Sequence, residues 1–170
     1  MPILPIRAYP DPILRQPAEA IGSFDSQLRD LVANMIATMH AAPGIGLAAN
    51  QVGLGCRLAV VDLSSSTETR SPLILVNPVI VSGSGSEVDD EGCLSIKGYT
   101  AGVKRMTSIL VRAQDPEGKT REFEATDLLA RVIQHELDHL DGRLFIDRLS
   151  ALKRSLFKKR LAKMLREQEP

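Results

Sequence analysis

Cysteine, histidine, long apolar runs and net charge are all in short supply in this sequence. Only two cysteines, Cys56 and Cys93, occur in 170 residues. Two thiols in a chain of this length are not a disulfide scaffold. Histidine occurs three times, as His40, His135 and His139. The apolar runs, such as Leu58 to Val61 and Leu73 to Val76, are far too short to cross a bilayer. The N-terminal stretch M-P-I-L-P-I-R-A-Y-P-D-P is interrupted by prolines and lacks the apolar centre of an export signal. These absences lead us to expect a cytoplasmic protein with no membrane partner. The 21 basic and 21 acidic side chains cancel. That excludes a uniformly basic nucleic-acid binder but says nothing about local patches.

What is present is ordinary for a folded chain. The length suits one domain with a sizeable core, and 44% hydrophobic with 25% charged residues excludes wholesale disorder. The charge is unevenly spread. Seven basic and two acidic residues fall in 153–170, so that segment carries +5 and residues 1–152 carry −5.

Periodicity predicts the elements. Asp11-Pro12 reads as a helix start. Leu28, Leu31, Val32, Met35, Ile36 and Met39 form one apolar stripe on a helix over 23–42, stopped by Pro43 and Gly44. Residues 44–55, G-I-G-L-A-A-N-Q-V-G-L-G, read as a glycine-punctuated loop too apolar to be a linker. Arg57–Leu63, Leu73–Val81, Lys104–Gln114 and Thr120–Ala125 are strand-like. Ser64–Ser71 reads as a loop tip, and Ser82–Ser86 and Asp115–Lys119 as turns. Thr126 or Asp127 can cap a helix running to Asp141, with Gly142 as its stop, and a last helix begins near Ser150. This order predicts an α+β fold, mostly antiparallel sheets packed around the central helix at 126–141, with a C-terminal helix. Residues 1–150 are read as a single catalytic domain, and 151–170 as a basic amphipathic C-terminal helix of that same domain.

The central helix carries Q-H-E-L-D-H over 134–139. His135 and His139 leave one face a single turn apart, the spacing two ligands of one cation need. Two surface histidines on an ordinary helix are the alternative. Glu136 lies on the flank of that face, as a general base for water would. Leu128 and Val132, seven and three residues before His135, make the same face an apolar wall; they serve equally as core. A catalytic site needs a third protein ligand. The metzincin pattern would place a histidine at 145, where Phe145 stands, so that class fails. His40 reads as a capping or core histidine and Cys56 as a small buried hydrophobe. Cys93, in E-G-C-L-S with no periodicity to bury it, is preferred to a carboxylate as third ligand. One cysteine and two histidines leave a position open, a catalytic rather than structural count. Cysteine and histidine donors accept both Fe²⁺ and Zn²⁺.

Three motifs in order, G-I-G-L-A-A-N-Q (44–51), E-G-C-L-S (91–95) and Q-H-E-L-D-H (134–139), resemble those of peptide deformylases over almost the whole chain. The resemblance implies removal of the N-formyl group from nascent formyl-methionine polypeptides. It implies that Cys93, His135 and His139 hold the metal, natively Fe²⁺, with Zn²⁺, Ni²⁺ or Co²⁺ as substitutes. Glu136 would be the general base and then the proton donor. The Gln51 amide and the Leu94 backbone N–H would face the formyl oxygen. Gly46 would offer a main-chain contact to an extended substrate, and Ile45, Leu128 and Val132 would line the methionine pocket. Asp138 receives no role, and Glu91 is paired with Arg105 as a support for the Cys93 loop. Lys97-Gly98-Tyr99 departs from the proline many relatives carry after E-G-C-L-S-I, which bears on the groove edge and not on the chemistry. Leu149, Leu152, Leu156, Leu161, Met164 and Leu165 form the apolar stripe of the last helix, with basic residues around it. Packing on the body explains the stripe, and docking on ribosomal RNA is the sharper reading. A monomer is expected. The competing functions are an H-E-x-x-H peptidase of another type and a non-catalytic peptide- or RNA-binding relative.

Overall fold

A computed structural model describes residues 2–64 and 69–168; the centre of the polar stretch at 64–71, residues 65–68, lies outside them. The first long helix, α1, spans Ser26–Ala41. It starts three residues later than the apolar stripe suggests because Asp25 stays extended as N-cap and accepts a hydrogen bond from the Leu28 N–H at 3.1 Å. Leu28, Val32, Met35 and Met39 of the stripe are buried.

Seven strands follow: β1 Gly46–Ala48, β2 Leu58–Val61, β3 Leu73–Ser84, β4 Glu87–Cys93, β5 Ile96–Arg105, β6 Ser108–Gln114 and β7 Thr120–Thr126. Five of them form an antiparallel sheet in the order β1-β2-β3-β6-β7, and β4 and β5 pair as a separate antiparallel ribbon. The second long helix, α2, spans Asp127–Leu140, and the third, α3, spans Ala151–Gln168. The α+β expectation, antiparallel sheets around a central helix with a C-terminal helix, is what the chain adopts.

The two-residue period of β2 shows how the layers are built. Leu58 and Val60 point into a core shared with α1, while Ala59 and Val61 point into a core shared with α2. The second core joins Ala130, Val132, Ile133, Leu137 and Leu140 of α2 to Leu75, Ile109 and Val111 of the sheet. A third cluster joins Leu14, Ile96, Val103 and Phe145 to Phe157 of α3. With strands on several sides, α2 is buried almost all round, so polar groups on it need partners.

Four expectations are corrected. The 44–55 segment is not a plain loop, since β1 and a 3-10 turn at Ala49–Val52 lie within it. The strand-like run Lys104–Gln114 is two strands broken at Met106-Thr107, because β5 and β6 belong to different sheets. Ser82–Ser84 extend β3, leaving the turn to Gly85 and Ser86. In α3 the buried residue is Phe157; Leu152, Leu156 and Leu165 of the expected stripe are exposed at 69%, 55% and 42%. The aromatic ring wins the interface because Tyr9 and Tyr99 receive it, at ring-centroid distances of 5.7 and 4.7 Å.

Candidate metal centre

One face of α2 presents His135 and His139, and the end of β4 brings Cys93 to them. The Cys93 Sγ lies 3.3 Å from His139 Nε2, which lies 3.2 Å from His135 Nε2. Among the described residues these three are the one group of His, Cys, Asp or Glu whose ligand atoms all fall within 4.8 Å of one another. Metal–nitrogen bonds of about 2.0–2.1 Å and a metal–sulfur bond of about 2.3 Å at tetrahedral angles separate ligand atoms by roughly 3.3–3.6 Å. The triangle therefore fits a cation with only a small adjustment. Two donors, Ser95 N–H at 3.4 Å and Gln51 Nε2 at 3.6 Å, face the Cys93 sulfur.

The charges agree with that fit. Burial opposes a proton on His135, but the Cys93 and Glu91 hydrogen bonds and the Glu136 charge outweigh it and lift this group to about 10. His139 moves the other way: burial, then the neighbouring His135 and Arg105, hold it well below its ordinary value. A site that draws positive charge to one edge of a His-Cys-His triangle is suited to a divalent cation in place of a proton. Glu136 is 3% exposed, and its Oε2 has no hydrogen-bond partner among the described residues. Burial lifts its carboxyl to about 7 against the opposing His135 charge. Such a group can both accept and return a proton near neutral pH.

A cavity of about 370 Å³ opens beside this centre, lined by Ile45, Gly46, Gln51, Leu94, Leu128 and Val132 together with Cys93, His135 and Glu136. Every site residue named from the sequence lines it except His139, which is buried and meets His135 Nε2 at 3.2 Å. Gln51 is oriented by its own turn: its Oε1 accepts the Ala48 N–H at 2.9 Å, leaving Nε2 to reach Ser95 Oγ at 3.1 Å. Gly46 is required by packing. A Cβ there would stand 2.8 Å from Glu136 Oε1 and 3.0 Å from Val132 Cγ1. Phe145, where a metzincin would have its third histidine, stacks on the His135 ring at 6.1 Å instead. His40 stays outside the centre, paired with Asp62 at 2.8 Å, and Cys56 is half-buried elsewhere.

The Glu91–Arg105 pair exists and is bidentate, at 2.8 and 2.9 Å. It belongs to a larger network that sequence reasoning missed. Glu91 also accepts from Arg131 at 2.7 Å and meets His135 Nδ1 at 2.9 Å, which leaves His135 Nε2 for the cation. Asp138, given no role from the sequence, accepts from Arg105 and from Arg148.

These pairs also set acid stability. Burial alone would raise the Glu91 carboxyl, but hydrogen bonds and charge from Arg105 and His135 hold it at about 2. Asp62 is likewise held at about 2, by Ser64 and His40. A carboxyl whose folded value lies below its unfolded one contributes stability that is complete above the unfolded value, here 4.5 for Glu91, and is lost as pH falls toward the folded one. Thermal melts at fixed ionic strength should therefore show a midpoint dropping between about pH 4.5 and 2. A level midpoint across that window would contradict the assignment.

A model of the polypeptide deformylase family matches residues 3–155. A peptide deformylase of Thermodesulfovibrio yellowstonii is 49% identical over 160 residues, covering 94% of this chain and 97% of that protein. The crystal structure of a peptide deformylase from Legionella pneumophila superimposes with a TM-score of 0.90 at 40% identity, covering 99% of this chain and 100% of the other. A peptide deformylase from Synechococcus elongatus in complex with actinonin gives 0.87 at 43% identity, with 94% and 89% covered. With the cation-sized triangle and the buried carboxyl already in place, these likenesses establish that the chain belongs to the polypeptide deformylase family.

Proposed function

We propose that this chain hydrolyses the N-formyl group from the N-terminal formyl-methionine of nascent polypeptides and releases formate. The observation that carries the reading is the meeting of Cys93, His135 and His139 at one point of a cavity, with Glu136 beside them. A divalent cation held by those three residues would polarise the formyl carbonyl and acidify water; Fe²⁺ is the proposed native ion, with Zn²⁺, Ni²⁺ or Co²⁺ able to replace it.

The chain's own residues supply the rest. Glu136 takes a proton from the attacking water as its oxygen bonds to the formyl carbon. Negative charge gathers on the formyl oxygen, where Gln51 Nε2 and the Leu94 N–H donate to it. Glu136 then hands its proton to the amine nitrogen as the carbon–nitrogen bond breaks, since an unprotonated amine leaves poorly. Ile45, Leu128 and Val132 receive the unbranched methionine side chain, and Gly46 in β1 pairs with the extended substrate backbone.

Mass spectrometry of formyl-Met-Ala-Ser after incubation tests this reading. Loss of the formyl group with the tripeptide intact is expected. Cleavage at an internal peptide bond would instead favour an H-E-x-x-H peptidase, and an unchanged substrate would favour a non-catalytic binder.

Residues 1–150 are taken as the catalytic domain and α3 as part of the same domain, acting as a monomer in the cytoplasm. No helix of the described residues is long and apolar enough to cross a membrane. The basic face of α3 is proposed to meet ribosomal RNA. In support, Lys153, Arg154, Lys158, Lys159, Lys163 and Arg166 are all exposed and form no ion pair among the described residues. Removing the chain after Ala151 would also remove buried Phe157, so charge reversal is the cleaner test. Lys158→Glu with Lys159→Glu and Lys163→Glu should weaken co-sedimentation with ribosomes by at least about tenfold and flatten its salt dependence. Tripeptide hydrolysis should stay unchanged. Equal ribosome affinity would end the RNA reading.

A further inference from the structure

Asp138 sits between the two histidines in sequence but its carboxylate bonds to neither ring. Its Oδ2 accepts from Arg105 Nη1 and from Arg148 Nε, each at 2.6 Å, and its Oδ1 accepts from Arg148 Nη2 at 2.7 Å. Arg105 is 1% exposed at its side chain, and its other two nitrogens, Nε and Nη2, donate to the two oxygens of Glu91. Glu91 in turn meets His135 Nδ1. An unbroken line of five side chains thus starts at Arg148 and ends on the ring edge opposite the His135 ligand nitrogen. Arg148 is 40% exposed and opens into a cleft of about 540 Å³, lined also by Arg57, Lys104 and Arg143 and separate from the catalytic cavity.

We propose that Asp138 and Arg148 are positioning residues for the metal centre, acting on His135 through Arg105 and Glu91. The inference rests on reading Cys93, His135 and His139 as the ligands.

The physical case has two parts. The first is charge. Glu91 and Asp138 together balance the buried Arg105 and Arg131. Without Asp138 an uncompensated positive charge would remain close to where a divalent cation has to bind, and Arg105 would keep a buried donor with no acceptor. The second is orientation. Two carboxylates grip the Arg105 guanidinium from different edges, so its plane cannot tilt. Glu91 is then fixed against His135, which fixes the tautomer and the direction of Nε2. The Arg148 fork sets the Asp138 carboxylate in turn, through two parallel bonds that a lysine cannot reproduce.

Arg148 separates the two parts by sign. Acting through its charge alone, Arg148 would repel a nearby cation, and its removal would tighten metal binding. Acting through position, its removal loosens it.

The test uses Co²⁺ as the probe metal in the full chain, with dissociation constants from chelator competition, the visible absorption spectrum of bound Co²⁺ and the melting temperature. Asp138→Asn should weaken Co²⁺ by roughly 10- to 100-fold and Arg148→Ala by roughly tenfold, both with an altered spectrum. Arg148→Lys keeps the charge without the fork and should resemble Arg148→Ala. Arg148→Ala lies at a partly exposed position and carries the test alone if Asp138→Asn does not fold. Co²⁺ bound by Arg148→Ala as tightly as before, or more tightly, with an unaltered spectrum would overturn the proposal, whether or not the melting temperature falls. Failure of the unsubstituted chain to bind one Co²⁺ would overturn the ligand assignment itself, a separate result.

Discussion

Glu136→Gln is expected to lower kcat for formyl-peptide hydrolysis by roughly 10²–10⁴ while metal content and KM stay near those of the unsubstituted chain. The amide keeps the shape of the carboxyl. That matters because Glu136 is wedged in place, with Oε1 occupying the space a side chain at Gly46 would need. The substitution removes only the ability to take a proton from water and return it to the amine. The raised Glu136 value of about 7 suits that two-way traffic better than an ordinary carboxylate, which would hold the proton too weakly to deliver it. Steady-state kinetics with metal analysis of the same sample are the check. A fall in kcat of less than about tenfold would move the proton transfer to another group.

Cys93→Ala is expected to act at an earlier step, by losing the metal. Cysteine binds a metal as its thiolate, so Cys93 would be the one anionic donor of the triangle, and the Ser95 N–H and Gln51 Nε2 face its sulfur. Removing it leaves only two imidazole donors on one helix face. Metal affinity should fall by roughly 10²–10³, and activity at limiting metal should fall with it. The fold should survive, because Cys93 is half-buried at the end of β4 and only borders the third apolar cluster. Chelator competition and circular dichroism measure the two effects separately. Retained metal at full occupancy would show that a carboxylate, and not Cys93, completes the set, as another H-E-x-x-H hydrolase would require.

The site was more legible in the sequence than the fold around it. His135, Glu136 and His139 are readable because one helical turn fixes their relation regardless of what packs around them. Cys93 is preferred as third ligand on its chemistry, whereas Gln51 and Gly46, both from the 44–51 segment, are placed at the site only by the resemblance of three motifs taken together. The β-ribbon of β4 and β5 was not legible. Its strands carry charged residues such as Glu87, Asp89, Asp90 and Lys104 on exposed faces, so no clean alternation marks them. The α3 interface was misread because six aliphatic residues outweighed one phenylalanine in the pattern, although Phe157 is the residue with aromatic partners waiting. Asp138 was passed over for a similar reason. A local pattern around two histidines gives no sign of Arg105, thirty-three residues earlier, or of Arg148 in the turn after α2.

That pairing has a consequence for how the enzyme is assembled. The acidic residues of the catalytic body are not all solvated surface. Glu91 and Asp138 lie inside it, neutralised by Arg105, Arg131 and Arg148. Buried ion pairs of this kind add little net stability but cost several kcal/mol when one partner is removed. Their value here is geometric, in holding a histidine ring where a cation can use it.

The most direct measurement is an anaerobic titration of the metal-stripped chain with Fe²⁺, following formate release from formyl-Met-Ala-Ser at each addition. Turnover should rise in proportion to bound Fe²⁺ and level off at one ion per chain, with one formate released for each free amine produced. Fully bound Fe²⁺ with no formate, or equal turnover with and without metal, would contradict the account.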